Sequence, residues 1–242
     1  MSSERSAPFR VKICGITRAA DAKDAAAAGA DAIGLNFVVG SPRCLSIERA
    51  SDIAAAVPPD MLRVGVFVGA TAAEIRRCVA AVGLDAVQLH GRWPAADPTL
   101  ADPPETCAAL AELPVIRAVH LAPGAGPAAL DPAREWLARA DALGHAPVLM
   151  LIDAAPAGPA TAATLGGTGR TVDWLALRDA GGLPVPVGLA GGLRPDTVAT
   201  AIRNSGAVAV DVASGVESAP GRKDRVAMER FVAAARTAFA GR

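Results

Sequence analysis

The sequence predicts a single (β/α)8 TIM barrel of the α/β class, on three observations. Short segments rich in Val, Ile and Leu alternate about eight times with longer Ala-rich amphipathic segments. The 242 residues suit one large α/β domain. Aromatic residues make up 3% of the chain, so the core must be built from the small and branched aliphatic residues that fill such barrels. A doubly wound open sheet is the alternative fold.

The apolar segments predict eight strands. Each is short, rich in branched aliphatic residues and followed by a longer segment of helical character. The predicted strands cover residues 10–14, 32–37, 62–68, 86–89, 115–119, 148–153, 185–189 and 207–212.

Each strand is followed by a predicted helix. Thr71, with Glu74 three residues on, predicts a capping box at the start of the third helix. Gly29, Gly83 and Gly206 stand where a left-handed residue ends a helix. The predicted helices cover residues 18–28, 46–56, 71–82, 104–111, 132–143, 172–179, 195–204 and 223–239.

The chain is interpreted as one domain. Residues 1–8 are predicted to be a flexible N-terminal arm, and residues 9–242 a single catalytic barrel. Segments 92–104 and 120–127 are rich in Pro, Gly, Ala and Asp, which indicates surface loops that enlarge the fourth and fifth units. The glycine-rich segment 166–170 is interpreted as a mobile loop, because it lacks the spacing of a nucleotide-binding loop.

Composition limits the partners to small molecules. The 24 basic and 24 acidic residues cancel, which removes the positive field that binding to nucleic acid or an anionic membrane requires. No apolar stretch approaches the ~20 residues of a membrane helix, and the N-terminus resembles no signal peptide. We therefore expect a cytoplasmic monomer or homodimer.

No cofactor or metal is expected. The four cysteines, at positions 14, 44, 78 and 107, are too widely spaced for a metal or redox motif and are interpreted as free thiols. His120 and His145 fall in predicted loops or helix ends without ligand partners at metal spacing, and we expect both to be exposed to solvent.

Active sites of such barrels lie at the carboxyl ends of the strands. Two of the predicted strand ends carry residues suited to acid–base chemistry. Cys14 ends the first strand, and a thiol beside a lysine and a helix N-terminus can act as a base or nucleophile. Asp153 ends the apolar sixth strand, where a desolvated carboxyl can serve as a general acid. A buried structural cysteine and a loop-capping aspartate are the alternatives, and the pattern alone leaves them open.

Glycine-bearing loops follow the last two predicted strands. Gly191 and Gly192 come after the seventh strand, and Ser214 and Gly215 after the eighth. Converging backbone N–H groups at these two loops form the usual phosphate site of a barrel. The pair of loops predicts binding of a phosphorylated ligand.

Other polar residues are placed around the same end of the barrel. Arg43, in a rigid turn after the second strand, is suited to pair with a substrate carboxylate. Gln88 and His90 share one face of the fourth strand, and Asp211 lies near the end of the eighth. We interpret these last three as residues that support the catalytic groups.

Taken in order, these segments resemble the phosphoribosylanthranilate isomerase family. The resemblance runs from residue 11 to near the C-terminus and rests on KICGIT at 12–17, GLNF…SPR…S at 34–46, VGVFV at 64–68, QLHG at 88–91, LIDA at 151–154, GGTGRTVDW at 166–174, GLAGGL at 188–193 and DVASGVE…G.KD at 211–224. It implies a cofactor-free (β/α)8 enzyme with Cys14 as base and Asp153 as acid. It likewise implies phosphate loops at Gly191, Gly192, Ser214 and Gly215, and a carboxylate-binding arginine at Arg43.

The activity implied by the resemblance is an Amadori rearrangement of N-(5-phosphoribosyl)anthranilate. Two alternatives stay open: another phosphate-binding barrel, such as a sugar-phosphate isomerase or epimerase, and a non-catalytic phosphate-metabolite sensor. An epimerase would need metal-binding His and Asp residues at several strand ends, and a sensor could dispense with both Cys14 and Asp153.

Overall fold

Eight parallel strands close into a barrel, in a computed structural model that describes residues 7–95, 97–122, 127–154 and 182–241. Neighbouring strands follow chain order, and the first pairs with the eighth. Every strand end lies within two residues of its predicted position, and barrel closure excludes the open sheet. The strands are β1 (Val11–Ile13), β2 (Ala32–Asn36), β3 (Leu62–Phe67), β4 (Ala86–Leu89), β5 (Val115–Leu121), β6 (Leu149–Ala154), β7 (Val187–Leu189) and β8 (Ala209–Val212).

Helices follow seven of the eight strands within the described residues. The helix predicted at 172–179 and the loop at 166–170 lie outside them. The helices are α1 (Ala19–Ala27), α2 (Ile47–Ala54), α3 (Ala72–Val82), α4 (Pro104–Ala108), α5 (Asp131–Ala142), α6 (Val198–Ser205) and α7 (Arg225–Ala240). A short antiparallel pair, β9 (Glu217–Ala219) and β10 (Arg222–Lys223), precedes α7. No described helix is both long and apolar enough to cross a bilayer.

Local signals account for the helix ends. The Thr71 side chain accepts from the Glu74 backbone while the Glu74 carboxylate accepts from the Thr71 backbone, so the predicted capping box is confirmed. Gly83 and Gly206 follow α3 and α6 with φ of 73° and 74°, a left-handed conformation that glycine adopts without steric cost.

A layer of small and branched residues fills the amino-terminal half of the barrel. Phe9 is 3% exposed and packs into this layer. Polar side chains occupy the carboxyl-terminal half. Lys12 on β1 contacts Gln88 on β4, and because these strands are not neighbours, the contact crosses the barrel interior. The interior therefore changes from apolar to polar towards the carboxyl ends of the strands.

Segment 92–104 connects β4 to α4 as a loop with some local structure and one buried anchor. It contains a turn of 3-10 helix at Pro98–Leu100 and a bridge between Arg92 and Ala101. Asp102 is fully buried and accepts hydrogen bonds from the backbone N–H groups of Gly69 and Gly91. The buried carboxylate ties this segment to the loop after β3.

The predicted exposure of two histidines was wrong. Strand β5 continues through Leu121, since His120 pairs in register with Asp153 of β6, so His120 is a strand residue and half-buried. His145 is half-buried too, and its backbone carbonyl accepts from the Cys107 thiol. The loop signal begins only after Leu121, and predicted segment 120–127 falls partly outside the described residues.

Candidate active site

A cleft opens at the carboxyl ends of the strands and collects most of the predicted site residues. Gln88 lies beneath it, fully buried. The cleft is lined by, among others, Cys14, Asn36, Arg43, His90, Asp153, Gly191, Gly192, Asp211, Ser214 and Gly215. Side chains far apart in sequence thus face one volume, which is what catalysis by an acid and a base requires.

Cys14 sits at the end of β1 against a glycine of the next strand. A Cβ atom at Gly34 would lie 2.6 Å from the Cys14 Sγ, so a side chain there would displace the thiol. The Cys14 backbone N–H donates to the Val212 carbonyl at 2.7 Å, which fixes the turn out of the strand. Sequence reasoning missed Gly34, whose signal was a glycine inside a strand pattern.

The groups around the Cys14 thiol shift its pKa in opposite directions. Burial raises the pKa of Cys14, while the ammonium groups of Lys12 and Lys223 act to lower it; the net direction is upward. Helix α1 begins at Ala19, and the side chains of Lys12 and Lys223 supply positive charge to the thiol. The thiol of the free protein therefore keeps its proton at neutral pH.

Lys12 is held by two partners. Its Nζ donates to Asp211 Oδ2 and to Gln88 Oε1, each at 2.9 Å, and the residue is fully buried. Burial on its own lowers the pKa of Lys12, but the charges of Asp211 and Cys14 outweigh it and the pKa is raised. Lys12 is therefore a fixed cation beneath the thiol, held in place by Gln88 and Asp211.

The same contacts fix the tautomer of His90. An ammonium group only donates, so the Gln88 amide must turn its oxygen to Lys12 and its NH2 to His90 Nδ1, 2.9 Å away. A neutral His90 therefore accepts at Nδ1 and carries its proton on Nε2. That Nε2 lies 3.2 Å from Asp153 Oδ2, and both side chains are almost fully buried.

His120 lies in the same cluster as His90 and Asp153. Its Nε2 lies 3.0 Å from the His90 carbonyl oxygen, to which it donates, and the two rings meet edge to face with centroids 4.9 Å apart. Burial, and then the neighbouring His90, lowers the pKa of His120 to about 4, so the ring is neutral. Ligand-type atoms of His90, His120 and Asp153 lie within 4.8 Å of one another. Sequence reasoning missed this cluster, because the cluster forms only through the register between strands, which the local sequence does not reveal.

Arg43 is anchored by a residue that sequence reasoning did not single out. Its Nε and Nη2 donate to the two carboxylate oxygens of Glu217 at 2.8 and 2.6 Å. Lys223 donates to the same carboxylate at 2.9 Å. Burial acts to raise the pKa of Glu217, but Arg43 and Lys223 outweigh it and the pKa is lowered, so Glu217 is ionised. The remaining N–H groups of the arginine stay available at the rim of the cleft.

The loops after β7 and β8 touch each other. Gly191 and Gly192 have φ of 73° and 66°, which favours glycine at both positions. A Cβ at Gly215 would overlap the carbonyl oxygen of Leu193, so glycine there permits the close approach of the two loops. A 3-10 turn begins at Ser214. The two loops thus meet at one corner of the cleft, which residues of both line.

The fold and the cleft define a (β/α)8-barrel enzyme whose ionisable side chains gather at the carboxyl ends of its strands. Residues 11–234 match the family described as N-(5'-phosphoribosyl)anthranilate (PRA) isomerase, and the chain belongs to that family. An N-(5'-phosphoribosyl)anthranilate isomerase of Myxococcus xanthus is 43% identical over 228 residues, covering 94% of this chain and 96% of its own length.

Solved structures agree with this assignment. The crystal structure of phosphoribosyl anthranilate isomerase from Thermotoga maritima superposes with a TM-score of 0.76 and 35% identity, covering 95% of this chain and 99% of that one. A structure of the isomerase in complex with reduced 1-(o-carboxyphenylamino)-1-deoxyribulose 5-phosphate has a TM-score of 0.74 and 33% identity, with the same coverage.

Proposed function

We propose that this protein isomerises N-(5-phosphoribosyl)anthranilate to 1-(2-carboxyphenylamino)-1-deoxyribulose 5-phosphate in L-tryptophan biosynthesis. The observation that carries the proposal is the position of Cys14 and Asp153 in one cleft, together with Arg43 and the two glycine loops. The similarity to PRA isomerases along nearly the whole chain supports the same reaction.

Binding comes first in the proposed reaction. The phosphate of the substrate lies against the loops of Gly191, Gly192, Ser214 and Gly215, where backbone N–H groups converge. The anthranilate carboxylate pairs with the free N–H groups of Arg43, which Glu217 holds in place. Fixing both ends of the substrate positions the sugar between the acid and the base.

Asp153 acts as the general acid. Its proton passes to the ring oxygen of the furanose while the bond between that oxygen and C1 breaks, and the anilino nitrogen supplies the electron pair that forms the C1–N double bond. The product of this step is an open-chain, cationic Schiff base. Burial of Asp153, which is 3% exposed, supports a carboxyl group that keeps its proton until the substrate arrives.

Cys14 acts as the general base. As a thiolate it removes the proton from C2, and the electrons of that C–H bond form an enolamine with C1, which tautomerises to the ketone. The thiol must first lose its own proton, and three positive charges favour this: the Schiff base, Lys12 and Lys223. No step of this sequence calls for a metal or a redox cofactor.

The test is the loss of substrate fluorescence. Phosphoribosylanthranilate generated enzymatically in a cuvette should disappear on addition of this protein, with a chelator present throughout. The Cys14→Ser and Asp153→Asn variants at the same concentration are the controls. Persistence of the fluorescence with folded wild-type protein would contradict the proposed function.

A further inference from the structure

We propose that Lys223 is a positioning residue that joins two anchoring parts of the cleft, the Arg43 guanidinium and the loop of Ser214 and Gly215. The proposal rests on the proposed function, since it presupposes that Arg43 binds the carboxylate and that this loop binds the phosphate. The side chain of Lys223 is fully buried, so it acts through the groups it contacts and touches no substrate atom.

The Lys223 ammonium group contacts both parts at once. Its Nζ donates to Glu217 Oε1 and to the Ala213 backbone carbonyl, each at 2.9 Å. Burial of an ammonium group is costly unless its N–H groups find acceptors, so these two contacts account for the position of the side chain. One contact leads to Arg43 and the other to the loop after β8.

The first contact fixes the carboxylate that holds Arg43. Glu217 Oε1 accepts from both Lys223 Nζ and Arg43 Nε, at 2.9 and 2.8 Å, while Oε2 accepts from Arg43 Nη2 at 2.6 Å. A carboxylate held only by Arg43 would be free to rotate together with the guanidinium. Lys223 holds the carboxylate at a second point, and the paired, planar hydrogen bonds pass its orientation on to Arg43.

The second contact sets the direction of a backbone N–H group. The carbonyl of Ala213 and the N–H of Ser214 belong to one planar trans peptide unit and point in opposite directions. An ammonium group that fixes the carbonyl therefore fixes this N–H as well, and polarises it as a donor. Ser214 is the first residue of a 3-10 turn, where an N–H has no acceptor within the turn. Ala213, Ser214 and Gly215 all line the cleft.

The backbone that carries Lys223 is itself held in place. The Lys223 N–H donates to Asp21 Oδ2 at 3.2 Å, and Asp21 is almost fully buried. The side chain of Asp224 accepts from the Ala227 N–H at the start of α7, and the Asp224 N–H donates to the Val216 carbonyl at 2.9 Å. The ammonium group thus holds its two acceptors from a fixed base.

A role as counterion of Glu217 would explain only one of the two contacts. Arg43 already pairs with both oxygens of that carboxylate and neutralises its charge. The contact with the Ala213 carbonyl has no part in this pairing. Removing the ammonium should therefore weaken binding at both ends of the cleft if Lys223 is a positioning residue, and at the Arg43 end alone if it is a counterion.

The experiment measures equilibrium binding of two fragments, anthranilate and inorganic phosphate, to the wild type and to Lys223→Met. Methionine keeps an unbranched side chain and removes the ammonium. We expect the dissociation constants of both fragments to rise about fivefold, the effect of about one lost hydrogen bond. Binding is measured instead of turnover, because the charge of Lys223 also acts on the Cys14 thiol and so on kcat.

Two further variants serve as controls. Lys23→Met removes an exposed lysine and should leave both dissociation constants unchanged. Glu217→Gln weakens the hold on Arg43 and should raise the constant for anthranilate. It should change the constant for inorganic phosphate little, because the contact between Lys223 and Ala213 remains.

A double variant separates positioning from a general disturbance of the cleft. In an Arg43→Ala background, Lys223→Met should still weaken phosphate about fivefold but should have no further effect on anthranilate, because its path to the carboxylate runs through Arg43. A further loss of anthranilate affinity in that background would contradict the proposal.

An unchanged affinity of Lys223→Met for phosphate would overturn the proposal and make Lys223 a counterion. If Lys223→Met does not fold, Lys223→Gln takes its place. Its shorter side chain cannot reach both acceptors, so at least one of the two affinities should fall, and two unchanged affinities would overturn the proposal.

The wild type separates this proposal from the proposed function. A folded wild type that binds neither fragment would contradict the proposed function. A wild type that binds both fragments, beside a Lys223→Met variant that binds them equally well, would contradict only the role of Lys223.

Discussion

The base side and the acid side of the cleft are built in opposite ways. Around the Cys14 thiol the nearby groups are ions: Lys12 beneath it and Lys223 beside it, with Asp211 and Glu217 as their counterions. Around the Asp153 carboxyl the described neighbours include two imidazoles: His90, whose Nε2 lies 3.2 Å from Oδ2, and His120 in the same cluster.

This difference follows from the form in which each group works. A base that acts as an anion benefits from adjacent cations, whereas an acid that must hold its proton benefits from neutral partners in an apolar surround. Two ionisable groups in one small cleft can thus be driven to opposite protonation states. The predictions below test each side of the comparison.

Cys14→Ser should cause the largest loss. A serine hydroxyl is a far weaker base than a thiolate and gains little from Lys12 and Lys223, so kcat should fall by about 10³-fold or more. Steady-state kinetics with Cys44→Ser, which changes an exposed thiol, provides the matched control. A fully active Cys14→Ser enzyme would leave Cys14 as a packing residue.

Asp153→Asn should lower kcat by about 10²-fold, because the amide keeps the shape of the side chain but has no proton of suitable acidity to transfer. Circular dichroism should show the fold retained, and Asp131→Asn on the surface of α5 should leave the kinetics unchanged. Near-normal turnover would show that ring opening needs no acid at this position.

Arg43→Ala should raise KM for the anthranilate substrate by about tenfold while changing kcat less, because the guanidinium binds the carboxylate at the rim. Glu217→Gln should reproduce part of this effect, since it weakens the paired hydrogen bonds that hold the Arg43 guanidinium. Inhibition constants for ligands with and without the carboxylate are the measurement. An equal loss of affinity for both ligands would make the role of Arg43 structural.

Alkylation should reveal the resting state of the thiol. Because burial raises the pKa of Cys14, its reaction with iodoacetamide should be slow at neutral pH and should accelerate as the pH rises beyond the range of an ordinary thiol. Cys44, which is exposed, should be labelled first. Peptide mapping at a series of pH values measures both rates, and rapid labelling of Cys14 at neutral pH would show a resting thiolate.

The sequence was sufficient for the barrel and for the ends of its strands. The spacing of apolar residues and the signals for helix ends are local features that can be read from neighbouring residues. The positions of Cys14 and Asp153 follow directly from where the predicted strands end. The pairing of Arg43 with Glu217 was missed because it joins residues 174 positions apart. His120 was misplaced because two extra residues of β5 are stabilised by pairing with β6 and not by local preference.

Trapping the open-chain intermediate tests most directly whether Asp153 acts as the acid and Cys14 as the base. Each variant is mixed with substrate and cyanoborohydride, which reduces the Schiff base at C1, and the reduced product is measured by mass spectrometry against a sample without enzyme. If Asp153 opens the ring and Cys14 then removes the C2 proton, Cys14→Ser should accumulate trapped product above the background and Asp153→Asn should not. Trapping in Asp153→Asn but not in Cys14→Ser would contradict the assignment of acid and base.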